Sequence, residues 1–392
     1  MLHLGDITQI SGYTAPIVDC IIGGSPCQDL SIAGKRAGLD GERSGLYMEQ
    51  IRIVKEMRDR DERNGRTGVD IRPRYMVWEN VPGAFSSHQS EDFRIVLEEL
   101  AKVKNKDAVI PRPADGKWRT SGCIMGDGWS IAWRVLDAQF WGVPQRRRRI
   151  TLVADFGGHS ASEILFVSNR LSGNSDESKP KRKETASDAS RGFGADDCEF
   201  ITFEPGIASR DQGKNAQFDF EVSDSGKNSP LVAKGPGAVC YAINGDKAGT
   251  LDSSYYKGCG MRSGVEREIV AVPAKTRYIV RRLTPLECER LQGYPDGWTD
   301  IGEWTDTNGK KRQTSDAARY KALGNSIALP PWKWVLKRIC ACYERDATMA
   351  SLFDGIGGFP YLWEQLNGKG TCLWASEIEE FPIAVTKVRI GE

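Results

Sequence analysis

Histidine is scarce in this sequence of 392 residues, which contains only His3, His88 and His159. The ten cysteines never occur with C-x-x-C spacing. The chain therefore lacks the ligand pattern of a zinc site, and we expect no metal and reduced thiols in a cytoplasmic protein.

Long apolar runs and an excess of one charge are also missing. No apolar stretch approaches the roughly 20 residues that span a membrane, and residues 1–6 lack the pattern of a signal peptide. The net charge is only +1, so contact with a polyanion would have to come from local patches. A hydrophobic fraction of 40% and a length of 392 residues suffice for a full core and a second domain.

A cysteine follows the first strongly apolar run. Residues 17–22 indicate a short buried strand, Gly23 and Gly24 break it, and Pro26 stiffens the loop that carries Cys27. A thiol at the carboxyl end of a strand lies where α/β folds place their sites. Alone, such a cysteine is more often an inert buried residue.

Two later motifs change that interpretation. Trp78-Glu79-Asn80-Val81 ends the apolar run 75–78, and Gln145 precedes the arginines at 146–149. Separately, a glutamate that ends a strand is usually a cap, and four arginines are usually a solvated or phosphate-binding patch. Together with Cys27, these motifs resemble the catalytic set of DNA (cytosine-5) methyltransferases.

The resemblance implies a fold and a set of catalytic roles. The fold is α/β: an S-adenosylmethionine-dependent, Rossmann-like, doubly wound sheet with a smaller, irregular, β-rich target recognition domain. Cys27 is expected to be the nucleophile and Glu79, in apolar surroundings, the proton donor to cytosine N3. Arg149 is expected to reach cytosine O2, with Arg147 orienting.

The last segment has the pattern of a cofactor site. Residues 349–358 indicate a strand, a tight glycine turn and a helix start, and Glu377 follows the strand 371–375. A carboxylate at this spacing after a glycine turn suits a ribose diol. The family resemblance implies S-adenosyl-L-methionine as cofactor, and Ile378 stands where an aromatic residue often follows the acid. The candidate cofactor contacts are Phe353, Asp354, Gly355, Gly357, Gly358, Glu377, Ile378, Asp6, Ile7, Pro26, Leu46, Asn325 and Ser326.

The order of the motifs differs from the family's. In the family the glycine turn opens the chain, whereas here it follows every other motif, so we interpret the sequence as a circular permutation. This interpretation predicts that Met1 and Glu392 lie close together and that a helix over 331–346 packs beside a strand at 351–353. An alternative stays open, in which residues 349–392 begin a truncated second copy that pairs with another chain.

Four regions follow from these motifs. They are 1–155, the first part of the catalytic domain; 156–276, the target recognition domain with a flexible polar insertion at 172–198; 277–348, a bracing helix and cofactor wall; and 349–392, the cofactor-binding end. The run 111–129 is expected to be an irregular insertion. Candidate DNA contacts are Ser31, Lys35, Arg36, Thr250, Leu251, Tyr255, Lys257 and Arg262.

The resulting hypothesis is methyl transfer to C5 of a flipped-out cytosine in a specific duplex DNA sequence, through a covalent adduct of Cys27 with C6. Two alternatives use the same fold: an RNA (tRNA) cytosine-5 methyltransferase, and a catalytically silent DNA-binding relative. The size of 156–276 favours duplex DNA, and the intact Cys27, Glu79 and Arg149 favour an enzyme. Whether a cognate restriction endonuclease or a phage context accompanies it is left open.

Overall fold

A computed structural model describes residues 1–25, 45–166 and 282–391, together with four short strands between residues 200 and 279. Within this part of the chain, no helix is both long enough and apolar enough to cross a membrane.

The strands and helices have the following bounds. The strands are β1 Leu2–His3, β2 Cys20–Gly23, β3 Tyr75–Asn80, β4 Ser121–Gly126, β5 Trp129–Asp137, β6 Arg148–Asp155, β7 Phe200–Phe203, β8 Ala238–Tyr241, β9 Val272–Ala274, β10 Arg277–Ile279, β11 Glu303–Thr305, β12 Lys311–Gln313, β13 Met349–Leu352 and β14 Cys372–Ser376. The helices are α1 Gly45–Arg63, α2 Glu91–Ala101, α3 Ser160–Leu165, α4 Pro285–Gln292, α5 Asp316–Asn325, α6 Leu329–Cys340, α7 Gly358–Asn367 and α8 Glu380–Arg389.

An eight-stranded sheet organises the fold, in the order β1-β14-β13-β2-β3-β6-β5-β4. The first five strands pair in parallel, and β6, β5 and β4 add antiparallel pairs. Alternate residues of the strands pack into two apolar layers, one on each face of the sheet. Ile22 and Val77 lie in the first layer, and Ile21 and Met76 lie in the second. Helices α3 to α8 cover the first layer, and α1 and α2 cover the second. The expected doubly wound α/β sheet is confirmed, with a mixed rather than wholly parallel strand order.

The last segment of the chain contributes two interior strands, β13 and β14, to this sheet. Strand β13 lies between β14 and β2, parallel to both. The amino group of Met1 donates a hydrogen bond to the carbonyl of Gly391 at 3.3 Å, so the predicted closeness of the two ends holds as far as the described residues extend. Strands β13 and β14 therefore pair with strands from the beginning of the same chain.

A buried carboxylate at the start of β2 fastens this segment in place. Asp19 is 1% exposed, and its two oxygens accept from both Nη atoms of Arg345 at 2.6 and 2.7 Å. The backbone N–H and the hydroxyl of Thr348 also donate to it, at 2.7 and 2.9 Å. Burial alone would raise the pKa of Asp19, but the bonds from Arg345 and Thr348 hold it below its ordinary value.

Two expectations about elements were wrong in detail. Helix α6 spans Leu329–Cys340 rather than 331–346, because Pro330 and Pro331 fit its first turn and lack the N–H groups that a helix interior needs. It packs in the same apolar layer as Met349 of β13. The stretch 111–129 is not wholly irregular, since β4 lies within it: Gly122 and Gly126 face the indoles of Trp133 and Trp129, where a Cβ would clash.

We expect Asp19→Asn to lower the free energy of unfolding by about 3 kcal/mol at pH 7, because it removes a buried, multiply bonded charge. The folded-state pKa of Asp19 is depressed, so this stabilisation is present above the ordinary pKa and is lost as the pH falls through the folded-state value. Urea unfolding at pH 7 and at pH 3 measures both effects.

The control is Glu303→Gln, which breaks an exposed ion pair with Lys311. This change should cost less than about 1 kcal/mol. Equal losses for the two variants would show that Asp19 does not fasten the last segment.

Candidate functional site

The chemistry-bearing segments leave the sheet from a single row of paired residues. Ser376, Leu352, Gly23 and Trp78 are register partners across β14, β13, β2 and β3. Because these strands are parallel, the residues that follow all emerge at the same edge. In the same order, those followers are Glu377, Phe353, Gly24 and Glu79. Segments that are up to 353 residue numbers apart thus meet at one place.

The turn after β13 has an unusual backbone. Phe353 has a φ of +55°, although only glycine adopts this region readily, and Gly355 and Gly357 follow with φ of +57° and +78°. A Cβ on Gly355 would meet no other described atom within 4 Å, so the backbone there is open on that side. Strain of this kind in a bulky residue is typical of ligand-binding turns.

Glu377 is held between two turns. Its Oε2 accepts from the N–H of Gly355 at 2.7 Å, and its Oε1 accepts from the N–H groups of Ile378 and Glu379 at 2.7 and 2.9 Å. Each carboxylate oxygen can accept more than one hydrogen bond. The side chain of Ile378 is 71% exposed beside it. An oriented carboxylate next to an uncovered apolar side chain suits a ligand with a diol and a flat ring.

Three other predicted cofactor contacts lie in different elements of the fold. Asp6 accepts from the N–H of Thr8 at 2.9 Å, in a turn beside β14 that buries Ile7. Leu46 is partly buried at the start of α1. Asn325 is the exposed last residue of α5.

Asp354 points into the protein rather than to the open side of the turn. It is 6% exposed, and its Oδ1 accepts from the hydroxyl of Ser351 at 2.6 Å. The hydroxyl of Thr386 lies 3.5 Å from Oδ2. Burial raises the pKa of Asp354 to about 7; the bond from Ser351 lowers it in part, and the nearby charge of Glu377 raises it further.

Glu79 and Arg149 are brought together. Arg149 Nε donates to Glu79 Oε1 at 2.9 Å, and the two side chains are 14% and 13% exposed, respectively. The other oxygen, Oε2, lies toward Gly24, where a Cβ would come within 2.9 Å of it. Sequence reasoning assigned these two groups to different atoms of one base, and here they bond to each other.

Exposure alternates along the four arginines, the last two of which begin β6. Arg146 and Arg148 are exposed, whereas Arg147 is 4% exposed and donates through Nη2 to the carbonyl of Ser326. The hydroxyl of Ser326 bonds to that of Tyr294 at 2.5 Å. Arg147 therefore lies apart from the pair of Arg149 and Glu79, and it connects β6 to the predicted cofactor wall.

Ser25, at the start of the cysteine loop, is held by two residues of β3, a contact that sequence reasoning did not predict. The hydroxyl of Ser25 accepts from Trp78 Nε1 at 3.0 Å and from Asn80 Nδ2 at 3.3 Å. Trp78 and Asn80 stand in the quoted motif, but the motif itself gives no sign that they bind Ser25.

Several predicted site residues fall outside the described residues. They are Pro26, Cys27, Ser31, Lys35, Arg36, Thr250, Leu251, Tyr255, Lys257 and Arg262. Among the residues that the structure describes, no group of three or more histidine, cysteine or acidic side chains could hold a metal ion.

The family that this fold and site define is shown by comparison. The model of the C-5 cytosine-specific DNA methylase family matches residues 1–105 and 124–341, most of the chain, so the protein belongs to this family. The match ends before β13 and β14, which nevertheless lie within the same sheet.

Individual relatives are distant. The chain is 27% identical to the DNA N-6-adenine-methyltransferase of Escherichia phage P1, over 88% of its own length and 56% of the relative's. It is 24% identical to the type II methyltransferase M.BsuFI of Bacillus subtilis, over 84% and 60%. It is 23% identical to the type II methyltransferase M.HpaII of Haemophilus parainfluenzae, over 86% and 76%. The chain thus spans less than two thirds of the length of the first two relatives.

A solved structure of similar fold is the Dnmt2 methyltransferase of S. pombe, with a TM-score of 0.43 and 13% sequence identity. The likeness covers 85% of this chain and 82% of that one.

We expect Asp354→Asn to remove part of the pH dependence of stability. The folded-state pKa, about 7, exceeds the ordinary value of 3.8, so the folded protein binds more protons between these values and the wild type loses stability as the pH rises from 4 to 7. The asparagine variant should become the more stable protein by pH 8, by up to about 4 kcal/mol. Urea unfolding at pH 4, 6 and 8 measures this.

Asp70→Asn is the matched control, because Asp70 is an exposed aspartate. Parallel pH profiles for the wild type and Asp354→Asn would contradict the prediction.

Proposed function

We propose that this protein transfers a methyl group from S-adenosylmethionine to C5 of a flipped-out cytosine in duplex DNA. The observation that carries the proposal is the row of register partners described above. It places a glycine turn with its carboxylate, the start of the cysteine loop and the Glu79 element at one edge of the sheet.

The residues around the turn after β13 fit this cofactor. The open backbone at Gly355 and the positive φ of Phe353 leave room for a ligand. The oriented carboxylate of Glu377 would accept from the ribose hydroxyls, and the uncovered side chain of Ile378 would pack on the adenine ring. Ser326 would stand on the methionine side. When bound, S-adenosylmethionine supplies an electrophilic methyl group.

The base must be made nucleophilic at C5, and Cys27 is proposed to do this. Its thiolate adds to C6, and the electron pair displaced from the C5–C6 bond makes C5 reactive. After methylation, loss of the C5 proton expels the thiolate and restores the double bond. Because C6 is inaccessible within a stacked duplex, the cytosine has to leave the helix.

Glu79 and Arg149 would stabilise the negative charge that develops on the cytosine ring when the thiolate adds. Arg149 uses its Nε on Glu79 and its Nη1 on the carbonyl of Arg148, so Nη2 is the nitrogen proposed to donate to O2. Oε2 of Glu79 lies on the side of Gly24, toward the cysteine loop, and it is the oxygen proposed to carry the proton for N3. Glu79 and Arg149 would then bracket one edge of the pyrimidine while they remain bonded to each other.

Duplex DNA is the proposed partner, read by the region 156–276, and Arg36 and Lys35 are proposed to contact phosphates. The alternative substrate is tRNA, and a cognate restriction endonuclease is a further candidate partner. The name of the phage P1 relative refers to adenine N6, so the modified base has to be identified directly.

The experiment supplies the full chain with labelled S-adenosylmethionine and either duplex DNA or tRNA, and the products are digested to nucleosides for mass spectrometry. We expect 5-methylcytosine in DNA, and bisulfite sequencing then gives the recognition sequence. If methylated product appears only in tRNA, the proposed DNA substrate is wrong. If the product is N6-methyladenine, the proposed reaction is wrong. If no methyl group is transferred, the protein is a catalytically silent relative.

Two variants test the roles of the residues. Cys27→Ser should abolish transfer, because a hydroxyl is a far weaker nucleophile, and Glu79→Gln should reduce it by about 10²-fold or more. Cys123→Ser is the control for the first, since Cys123 is exposed on the edge strand β4. Full activity of Cys27→Ser would refute the proposed covalent mechanism.

We also expect Gly24→Ala to lower transfer by about 10²-fold with cofactor affinity unchanged, because the added methyl displaces Glu79 by a fraction of an ångström or more. Initial rates and calorimetric titration of cofactor measure the two quantities. Gly158→Ala is the control, since its Cβ would approach Arg74 and Asp155 at 3.3 Å, at the end of the sheet opposite to Glu79. A wild-type rate in Gly24→Ala would contradict the placement of Glu79.

A further inference from the structure

The two residues at the exit of β2 contact opposite faces of β3. Side chains alternate along a strand, so Trp78 and Asn80 point to one face and Glu79 to the other. Gly24 lies against Glu79, and Ser25 lies against Trp78 and Asn80. The strand that carries the proposed proton donor therefore also fixes the start of the loop that carries the nucleophile.

The hydroxyl of Ser25 is the centre of this contact. It receives the indole N–H of Trp78 at 3.0 Å and an amide N–H of Asn80 at 3.3 Å, and the residue is 4% exposed. Asn80 is itself oriented, because its Oδ1 accepts from the N–H of Val81 at 2.8 Å. Both donors would be left buried and unpaired if Ser25 moved away, and each such loss is costly.

Trp78 has little freedom to follow Ser25. Its side chain is fully buried, with ring centroids 5.5 Å from Tyr47 and 6.3 Å from Phe93. Tyr47 is fixed in turn by a hydrogen bond to the carbonyl of Val96 at 2.9 Å. The indole N–H is thus a rigid reference point attached to the core.

We propose that Trp78 is a positioning residue for methyl transfer: through the hydroxyl of Ser25, it sets where the chain leaves β2 and so where Cys27 meets a base held by Glu79. The inference rests on the proposed function, because it assumes that Cys27 is the nucleophile. Trp78 touches neither base nor cofactor in this scheme. A displacement of the nucleophile by about 1 Å costs on the order of 10²-fold in rate.

The test compares Trp78→Phe, Ser25→Ala and the double variant on the duplex sequence identified by bisulfite sequencing. Each single variant should lower kcat by about 10- to 100-fold, with the KM for DNA and the cofactor within about threefold of wild type. The double variant should be no slower than the slower single one, because both changes remove the same contact. Ser25→Thr keeps the hydroxyl and should restore most of the rate.

A second measurement isolates the step in which the thiolate attacks. With 5-fluorocytosine at the target position, addition of Cys27 to C6 and methylation at C5 proceed, but C5 then carries fluorine in place of the proton that must leave, so the adduct persists. The rate at which this covalent complex forms should fall as kcat does in Trp78→Phe and Ser25→Ala. A rate equal to wild type in both variants would overturn the proposal.

Trp363→Phe is the matched control, since it also removes a buried indole N–H, one that donates to the carbonyl of Ala347 at 2.9 Å, at the end of the sheet opposite to the site. It should leave kcat unchanged, and an equal loss there would overturn the positioning role. If Trp78→Phe fails to fold, the comparison of Ser25→Ala with Ser25→Thr decides the question. Absence of any adduct or methylation in the wild type would instead refute the proposed function itself.

Discussion

The parallel pairing of β13 with β2 on one side and β14 on the other is the constraint on which the site depends. It sets Leu352 beside Gly23 and thereby places the glycine turn next to the start of the cysteine loop. The bonds of Asp19 to Arg345 and Thr348 lock this register at the opposite end of the strands. A shift of β13 by one residue would exchange its two faces and separate the turn from the loop.

Near this pairing, the charged side chains of the site bond to other residues of the site. Glu79 bonds to Arg149, and Arg147 bonds to the carbonyl of Ser326. Such contacts orient each side chain before a ligand arrives, which lowers the reorganisation that a reaction requires. Arg147, just before β6, and Arg149, within it, consequently bond to different neighbours: Arg147 to Ser326 near the glycine turn and Arg149 to Glu79.

Much of the fold was predictable because its signals are local. Apolar runs that end in glycine, and the Thr284–Glu287 capping box at the start of α4, identify elements directly from the sequence. The meeting of Asp354 with Ser351 and Thr386 was not predictable, since it depends on how a turn packs under a distant helix. The contact of Trp78 with Ser25 was missed because it depends on the pairing of β2 with β3, whose residues are more than 50 positions apart in the sequence. Strand β4 was missed because its glycines, which suggested a loop, are there to accommodate tryptophan rings.

The position of β13 in the sheet also bears on how the protein folds. The interior strand β13 comes from residues 349–352, whereas its neighbour β2 is formed by residues 20–23. During synthesis, the edge of β2 that β13 will cover stays unpaired until nearly all of the other strands have left the ribosome. Contacts of such long sequence separation slow folding, and an open strand edge invites pairing with other chains. In a nascent chain of this topology, that edge of β2 stays open to pairing with other chains until β13 has been made.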